Sequence, residues 1–549
     1  MQTVTPSDSA ALQAALVQWQ FGDWQSLANM ERDTLQQHPE RAKLALLAAA
    51  AQLQIGHAME AEALIRLAQQ WGVSKKLISQ ILIAGVHHSV ASVAASANQP
   101  HHALQHLKNA MAMAAEMAFS PRPFSVNKLA LHNLGDAWAG NTINTVIFRH
   151  HGILTHHKIQ YTAFYVDEHT LRLVQRDLVS DTLKTHDIPG QYNLRDAHNS
   201  ISLGLDRESH LHISYDHHVT QLRYRRSLKP GDITAWSDEL PMTGAHEEKV
   251  TYPTFILPRQ GYPLTLLYRD GVHNKGTARL KTYDEATQSW ADHPQPILSG
   301  AEQKPWTSNA YWNHPAIGSD GSLHLSFVWR TDTLGTEQRI NNINIGYACS
   351  HDNGLSWQTS RQRSYKLPIT QVNAETIHPV SPASNLINQT SMALDSGNRP
   401  HIVFYSDDPD GIPQYQHLWF DGKVWRHQFI SQRKLAFSLQ GGGTLQIPIC
   451  RPEVVIDHDD NVYMITRGDH TKNRMAATLL PAPDYHYLPS NTCVLCDLDL
   501  GFAEPIIDRS RWQQNNIMTL LLQNNQQPNY DINHQNIQNS VTLIDIKFS

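Results

Sequence analysis

The stretch "MALDSGNRPHIVFY" (Met392–Tyr405) contains the pattern that organises most of this chain. A short apolar run ends in a turn rich in Asp, Ser, Gly and Asn, and a second run then alternates apolar and polar residues. A repeated hairpin of this kind predicts a solenoid or a propeller, because one sheet cannot bury both of its faces alone. The other copies are "LGLDRESHLHISY" (203–215), "TFILPRQGYPLTLLY" (254–268), "AIGSDGSLHLSF" (316–327), "VVIDHDDNVYMIT" (454–466) and a degenerate "TAFYVDEHTLRLVQR" (162–176).

Two further features favour a propeller of about seven four-stranded blades, which residues 130–549 would accommodate. The segment "SHDNGLSW" (350–357) matches S-x-D-x-G-x-x-W, the Asp-box of propeller blades, in which Asp and Gly make a turn and Trp packs beneath it. The last segment, "NSVTLIDIKFS" (539–549), is a predicted strand. By pairing with the first strands of the sheet region, it would close the ring and remove exposed strand edges.

Residues 1–118 have a different pattern, typical of helices. Segments such as "LALLAAAAQLQIG" (44–56) repeat apolar residues at intervals of three and four and are rich in good helix formers. Gly56 and the "NQP" at 98–100 predict breaks between paired helices. The pairs faintly resemble tetratricopeptide-type repeats, and a plain helical bundle is an equally good interpretation. The two prolines of "FSPRPFSV" (119–126) place a linker at 119–129, so we predict a multidomain chain: an all-α domain followed by an all-β propeller.

Composition excludes several classes of function. With 549 residues the chain is too long for one ordinary core, and its net charge of -6 is dispersed without a basic block or an acidic tail. We therefore expect no nucleic-acid partner. No apolar run approaches the ~20 residues that span a bilayer, so no membrane span is expected. The N-terminal sequence lacks the pattern of a secretory signal; this predicts a cytoplasmic protein and leaves export by another route open.

The four cysteines do not form a disulfide framework or a complete metal motif. Cys493 and Cys496 have CxxC spacing, but no second pair follows, so a zinc site would need two more ligands from elsewhere. Two ordinary cysteines near a strand are the alternative. The acidic run at 457–460 lacks the spacing of a calcium-binding EF-hand loop and fits a solvated turn better. No cofactor is predicted, and a structural metal ion such as zinc or calcium is left open.

Several motifs in order resemble those of the BNR-4 repeat proteins, a family that includes ulvan lyases. The motifs include "RDAHNSISLGLD" (195–206), "ISYDHH" (213–218), "TYPTF" (251–255), "LYRDG" (267–271) and "SFVWR" (326–330). The resemblance covers about residues 130–549 and not the helical part. It implies a seven-bladed propeller that cleaves uronate-containing polysaccharides by β-elimination.

The same resemblance implies a set of site residues, and elimination chemistry explains their types. An arginine must neutralise the uronate carboxylate, because removing the C5 proton increases negative charge there; Arg269 is the candidate. A base must take that proton and an acid must protonate the oxygen leaving C4. Histidine titrates near neutrality, whereas tyrosine needs cationic neighbours to act as a base. We assign the acid and base roles to His198 and Tyr252, without fixing which is which, and a supporting role to His218.

Other residues are predicted to contact the substrate. Tyr311 and His314 in "YWNHP" and Arg330 in "SFVWR" are candidates for sugar contacts, and Asn199 either binds substrate or fixes His198. Structural alternatives exist for the catalytic set: His198 could cap a turn, Tyr252 could be a packed aromatic residue, and Arg269 could pair with its neighbour Asp270. None of these residues is predicted to bind a metal.

The leading prediction is a polysaccharide lyase acting on an acidic polysaccharide. A sialidase-like hydrolase is one alternative, because Asp-boxes also mark that propeller, although such an enzyme would need several arginines on the substrate carboxylate. The other alternative is a non-catalytic propeller that binds polysaccharide. In that case the N-terminal helices would dock a protein partner or mediate self-association.

Overall fold

The computed structural model describes residues 6–30, 35–36, 38, 40–118, 124–259, 261–273, 275–300, 308–331, 339–388, 391–529 and 535–548. The chain divides into two compact units, Met1–Arg122 and Pro123–Ser549. The first unit is helical and the second is built of β-sheets, as the change of sequence pattern predicted.

The helical unit is organised by helix pairs that share one apolar core. Helix α3 packs against α4 and α5 packs against α6, around buried residues such as Trp19, Leu46 and Ile81. The predicted breaks are present: Gly56 has a positive φ of 89° after α3, and α6 begins at Pro100. The helices are α1 (Pro6–Phe21), α2 (Trp24–Ala28), α3 (Arg41–Gln54), α4 (Ala58–Gln70), α5 (Lys75–Ser96) and α6 (Pro100–Ala118).

Helix α5 corrects the expectation that no segment is long and apolar enough to cross a membrane. Its segment Leu77–Ser96 has 20 residues and a mean hydropathy of 1.5, which meets that requirement by length and composition alone. Ser, His and Gly interrupt the apolar run of this helix, so no continuous apolar stretch marks it in the sequence. Core helices of soluble proteins meet the same criterion, and 39% of this segment is buried within the structure.

The second unit contains seven antiparallel sheets, which confirms the predicted seven-bladed propeller. Blades one to three contain β2 (Ile153–His156), β3 (Ile159–Asp167), β4 (Thr170–Asp177) and β5 (Leu183–Pro189); β6 (Ser202–Leu205), β7 (Leu211–Ser214) and β9 (Tyr224–Arg226); and β8 (His218–Thr220), β10 (Val250–Ile256), β11 (Thr265–Asp270), β12 (Thr277–Asp284), β13 (Ser289–Asp292) and β14 (Leu298–Ser299).

The remaining four blades follow the same antiparallel plan. Blades four to six contain β15 (Ser308–Trp312), β16 (Ala316–Ile317), β17 (Leu323–Thr331), β18 (Asn342–Ser350) and β19 (Thr376–His378); β20 (Ser391–Leu394), β21 (Pro400–Asp407), β22 (Pro413–Phe420) and β23 (Trp425–Phe429); and β24 (Glu453–Ile456), β25 (Val462–Thr466), β26 (Ala476–Leu480) and β27 (Thr492–Val494). Blade seven contains β28 (Ile506–Ile507), β29 (Ile517–Leu522), β30 (Gln538–Phe548) and β1 (Val126–Trp138), with helix α7 (Arg509–Asn515) between β28 and β29.

The first and last strands of this unit pair with each other, as predicted. Strand β1 runs antiparallel to β30, with Val126 opposite Phe548 and Trp138 opposite Gln538. The pairing joins the first and last strands of this unit in one sheet, in which β30 is an inner strand and β1 is the edge. Of the predicted linker 119–129, residues 126–129 therefore belong to β1, while residues 119–123 lie outside the described residues.

The repeated hairpins occupy equivalent positions in five blades. They are the strand pairs β6–β7, β10–β11, β16–β17, β20–β21 and β24–β25. The degenerate copy at 162–176 is out of phase, because it forms β3–β4 instead of β2–β3. The Asp-box forms the predicted turn: Ser350 Oγ donates to Asp352 at 2.8 Å, and buried Trp357 donates from Nε1 to the Gly354 carbonyl at 3.1 Å.

A buried ion-pair network connects blade seven to blade one, and it carries a stability prediction. Asp545 on β30 is 2% exposed, lies 2.9 Å from Arg176 on β4 and accepts a 2.6 Å hydrogen bond from Arg511 on α7. Burial raises the pKa of the Asp545 carboxyl, but Thr519, Arg511 and Arg176 outweigh it, so that the pKa lies below its usual value. Replacing Asp545 with Ala would remove the carboxylate that Arg511 pairs with and would leave Arg176 with Asp181 alone. We expect a loss of roughly 3–5 kcal/mol in the free energy of unfolding at neutral pH.

The sign of the pH dependence follows from the lowered pKa. A carboxyl group whose pKa is lower in the folded than in the unfolded chain stabilises the fold above the unfolded value of ~3.9, and this contribution is lost as the pH falls through the folded pKa. Urea unfolding of wild type and Asp545→Ala from neutral to acid pH should show the two curves converging in acid. Asp497→Ala, at a side chain 84% exposed, is the matched control. A difference that does not change with pH would contradict the assignment.

Candidate active site

A pocket of about 280 Å³ lies at one end of the blade strands, near the start of β10 and the ends of β11 and β17. It brings together all four predicted catalytic residues with two of the predicted substrate contacts. Its lining includes Phe148, His198, His218, Tyr252, Arg269, His273, Tyr311, Arg330, Asn388, the loop Gly441–Thr444 and Arg451.

Asp196 holds the two histidines of the pocket. His198 lies on a single 3₁₀ turn (Ala197–Asn199) capped by Asp196, and its Nδ1 is 2.6 Å from Asp196 Oδ1. Nδ1 of His218, at the start of β8, contacts the other carboxylate oxygen, Oδ2. One carboxylate thus accepts a hydrogen bond from each ring, which fixes both tautomers with the proton on Nδ1. The Nε2 atoms remain as the proton-accepting atoms of the two rings.

The imidazole of His198 is sandwiched between two rings. It stacks on His218 with 4.0 Å between centroids and on Phe148 with 5.2 Å. Burial lowers the pKa of His198 to about 4, and the charges of His218 and Arg269 act in the same direction, while Asp196 opposes them. Burial raises the pKa of Asp196, but the two imidazoles outweigh it and the pKa lies well below its usual value. At neutral pH the site therefore contains a neutral His198 beside an ionised Asp196.

Tyr252 is held in the pocket by an irregular strand. Its φ of 57° is in the left-handed region, and the register of β10 against β11 shifts between Thr251 and Thr254. A non-glycine residue in this conformation is strained, and such strain concentrates at functional sites. The ring is 5% exposed and packs edge-on against Phe148 at 5.0 Å.

Arg269, at the end of β11, is almost fully buried at 1% exposure. Its Nη2 donates to Thr251 Oγ1 at 3.1 Å, whereas its buried Nε has no hydrogen-bond partner. The guanidinium lies over the Tyr252 ring at 5.1 Å and over the Tyr311 ring at 5.9 Å. The predicted alternative, a pair with Asp270, is wrong: that carboxylate accepts from Arg279 at 2.8 Å instead. A buried cation with an unused donor is suited to a carboxylate ligand.

Tyr311 lies between two guanidinium groups. Arg330 is 5.0 Å from its ring centroid and is itself held by Asn342 at 3.0 Å and Asn388 at 2.9 Å. Burial raises the pKa of Tyr311, but Arg330 and Arg269 outweigh it, and the pKa lies below the usual value for a phenol. This is the cationic environment that the sequence analysis required for a tyrosine base.

Two predicted substrate contacts do not lie in this pocket. His314 stacks on His150 at 4.2 Å in a separate cavity that also includes His151 and Arg509. His314 lies in the irregular segment 313–315 between β15 and β16, both of which pair with β17. Asn199 is 2% exposed, and its Nδ2 donates to the Asn193 carbonyl at 2.8 Å, so it fixes the loop that carries His198.

Sequence reasoning missed several pocket residues. Asp196 was detectable in principle, because a carboxylate two residues before a turn histidine can reach its Nδ1. Phe148 and the glycine loop carried no recognisable signal. Arg451 could not be recognised because its partner, Glu504, is distant in the sequence. The two residues form a buried ion pair, in which Arg451 Nε donates to the Glu504 carboxylate at 2.8 Å.

Among the residues that the structure describes, one group has the donor types and spacing for a metal ion: Asp196, His198 and His218. Both Nδ1 atoms already donate to the Asp196 carboxylate, one of them at 2.6 Å, which is hydrogen-bond geometry. We therefore describe these residues as a hydrogen-bonded triad. The acidic run at 457–460 forms a turn in which Asp457 accepts from the Asp459 and Asn461 backbone N–H groups at 2.9 and 2.8 Å.

Comparison with solved structures shows relatives of the fold. The polysaccharide lyase Uly1 aligns with a TM-score of 0.57 and 13% identity, over 76% of this chain and 99% of that one. A PL25 ulvan lyase aligns with a TM-score of 0.51 and 15% identity, over 63% of this chain and 83% of that one. At these identities the likeness concerns the fold.

Comparison with curated proteins gives no match. The sequence model of the BNR repeat-containing family matches residues 159–433, which include His198, His218, Tyr252, Arg269, Tyr311 and Arg330. That match spans half of the chain, from the second strand of blade one to beyond blade five. The chain therefore belongs to the BNR repeat-containing family.

Proposed function

We propose that this protein is a polysaccharide lyase that cleaves a uronate-containing polysaccharide by β-elimination. The observation that carries the proposal is Arg269: a buried guanidinium with one unused donor, in a pocket shared with the neutral imidazole of His198 and two tyrosines. This combination meets the three needs of elimination, which are carboxylate neutralisation, a proton acceptor and a proton donor.

In the proposed reaction the uronate carboxylate binds Arg269. The C5–H bond breaks and its proton passes to the base, while its electron pair forms the C4–C5 double bond. The bond from C4 to the glycosidic oxygen breaks, and that oxygen receives a proton from the acid. Arg269 stabilises the charge that develops on the carboxylate as the C5 proton leaves.

We assign the base to His198 and the acid to Tyr252. The low pKa of His198 means that its ring can accept a proton at neutral pH but has none to donate from Nε2. Tyr252 carries a phenolic O–H in the same pocket, 5.9 Å from His198 between ring centroids. His218 shares the Asp196 carboxylate and supports the orientation of His198.

Tyr311 is a second candidate for the base, since two arginines lower its pKa. A phenolate is a stronger base than an imidazole with a pKa of about 4. In this alternative Tyr252 would remain the acid, and His198 would orient the sugar. The dependence of the rate on pH separates the two assignments, because the two candidate bases have different pKa values.

The fold relatives support the choice of reaction class. Both of those described above are polysaccharide lyases, and a further structure of the PL25 ulvan lyase contains -[GlcA(1-4)Rha3S]-, at a TM-score of 0.50 and 14% identity. A glucuronate polymer is thus a rational first substrate for this chain. We propose an acidic polysaccharide as the substrate class, without naming the sugar next to the uronate.

The direct test is to incubate the protein with ulvan, alginate and a glucuronate-containing exopolysaccharide and to follow ultraviolet absorbance. A lyase forms the conjugated C4–C5 double bond, whereas a hydrolase forms reducing ends without it. His198→Ala and Tyr252→Phe should lose the signal, while the exposed control His169→Ala should keep it. Reducing ends without absorbance would support the sialidase-like alternative. Retention on a polymer without cleavage would support a binding propeller, and either result would overturn the proposal.

A further inference from the structure

A second groove lies between blades four and five, and none of its lining residues takes part in the proposed reaction. It has a volume of about 440 Å³ and lies beside β19 and the hairpin β22–β23. Its lining residues belong to two chain segments, 360–377 and 420–425, which do not include any residue of the catalytic pocket. We call this feature the outer groove.

The outer groove is lined by three exposed cations: Arg361, Arg363 and Lys423. Within the part of the chain that the structure describes, none of them forms an ion pair. The lining also contains one acid, Glu375, whose carboxylate accepts from the Ser360 backbone N–H at 2.7 Å and from Ser360 Oγ at 2.6 Å, so cations outnumber acids by three to one. A concentration of unpaired positive charge is notable in a chain whose net charge is -6. It favours an anionic ligand.

The groove also offers a surface suited to sugar rings. The Trp425 indole packs against Tyr347 and Phe420, each with 5.4 Å between ring centroids. Its Nε1 is buried and has no hydrogen-bond partner in the described structure. Val424, 42% exposed, adds apolar surface beside it. Trp425 lines the groove, and an indole offers a large apolar surface against which a sugar ring can pack.

We propose that the outer groove binds an anionic polysaccharide chain at a distance from the catalytic pocket. The three cations would contact carboxylate or sulfate groups, with the arginines able to bind them through two parallel hydrogen bonds. Trp425 and Val424 would contact the less polar face of a sugar ring. The inference rests on the proposed function only for the class of ligand, since binding here does not require cleavage.

The test measures binding and cleavage separately on the full-length protein. Mobility in native gels that contain ulvan, alginate or chondroitin sulfate is compared with mobility in gels that contain neutral dextran. The variant Arg361→Ser/Arg363→Ser/Lys423→Ser removes the cations, and Trp425→Phe reduces the indole to a smaller ring without the N–H donor. Lys158→Ser/Lys229→Ser/Lys249→Ser removes three exposed cations elsewhere on the same unit and changes the net charge equally. Unchanged melting temperatures confirm that the variants fold.

We expect wild type and the lysine control to be retarded by at least one anionic polymer, with the groove variant binding about tenfold more weakly. The retardation should decrease with added salt. The groove variant should cleave short oligosaccharides at the wild-type rate but long chains more slowly. Equal retardation of the groove variant and the control, or absence of retardation on every anionic polymer, would overturn the inference. If the groove variant loses retardation but neither it nor wild type cleaves any polymer, the groove would still be a polysaccharide-binding site and the proposed lyase activity would be refuted.

Discussion

Arg269→Gln is expected to lower kcat on a uronate polymer by about 10²–10³-fold. Glutamine keeps a hydrogen-bond donor but removes the charge that neutralises the carboxylate, so the transition state loses more stabilisation than the bound substrate. Arg269→Lys should recover little of this loss. A lysine ammonium cannot reproduce the planar fork that contacts Thr251 at 3.1 Å and lies over Tyr252 at 5.1 Å.

Initial rates over a range of substrate concentrations separate kcat from KM for these variants. Arg426→Gln is the matched control, because its guanidinium is exposed and pairs with Asp421 at 2.7 Å on a different part of the propeller. The Arg269 variants should also be checked by thermal unfolding, since the site is buried. A kcat within twofold of wild type in a folded Arg269→Gln variant would exclude carboxylate neutralisation by this residue.

The pH dependence of kcat/KM should identify the base. A general base must be unprotonated, so the rate falls as the pH drops below the pKa of the base. With His198 as base, the acidic limb lies near pH 4, because burial, His218 and Arg269 lower its pKa to about 4. His198→Gln should then reduce the rate by about 10²–10⁴-fold and remove that limb. His169→Gln, at an exposed ring, should leave the profile unchanged.

The alternative base gives a different profile. If the Tyr311 phenolate accepts the proton, the rate should rise through a limb at higher pH, below the usual pKa of a phenol because Arg330 and Arg269 lower it. Tyr311→Phe would then abolish that limb, and His198→Gln would keep it at a reduced rate. A profile in which neither variant alters the acidic limb would contradict both assignments.

The architecture was largely predictable because its signals are local. Each repeated hairpin encodes its own alternation and turn, and the Asp-box encodes a turn together with the tryptophan that covers it, so neither depends on a distant residue. The phase error at 162–176 arose because β3–β4 has the same alternation as the first hairpins of other blades. Helix α5 was missed as a candidate span because small and polar residues interrupt its apolar run.

The candidate site was predictable only where chain neighbours define it. His198 lies on a 3₁₀ turn and lines the pocket. A histidine inside a blade strand, such as His212, is instead fully buried and forms hydrogen bonds with Asp206 at 3.2 Å and Tyr224 at 2.7 Å. His314 shows the limit of sequence spacing: it is three residues from Tyr311, yet it lies in an irregular segment between β15 and β16 and lines another cavity. Arg330 acquires its role beside Tyr311 from packing between strands, which no local pattern encodes.

The pairing of β1 with β30 has a consequence for how the protein is made. The seventh blade needs Val126–Trp138 and Gln538–Phe548 together, so a ribosome must synthesise about four hundred residues between the two halves of one sheet. Contacts so distant in sequence form slowly, and until they form β1 lacks the strand with which it pairs. The ring can therefore close only after synthesis is almost finished, and a nascent chain stalled before β30 is an open, aggregation-prone intermediate.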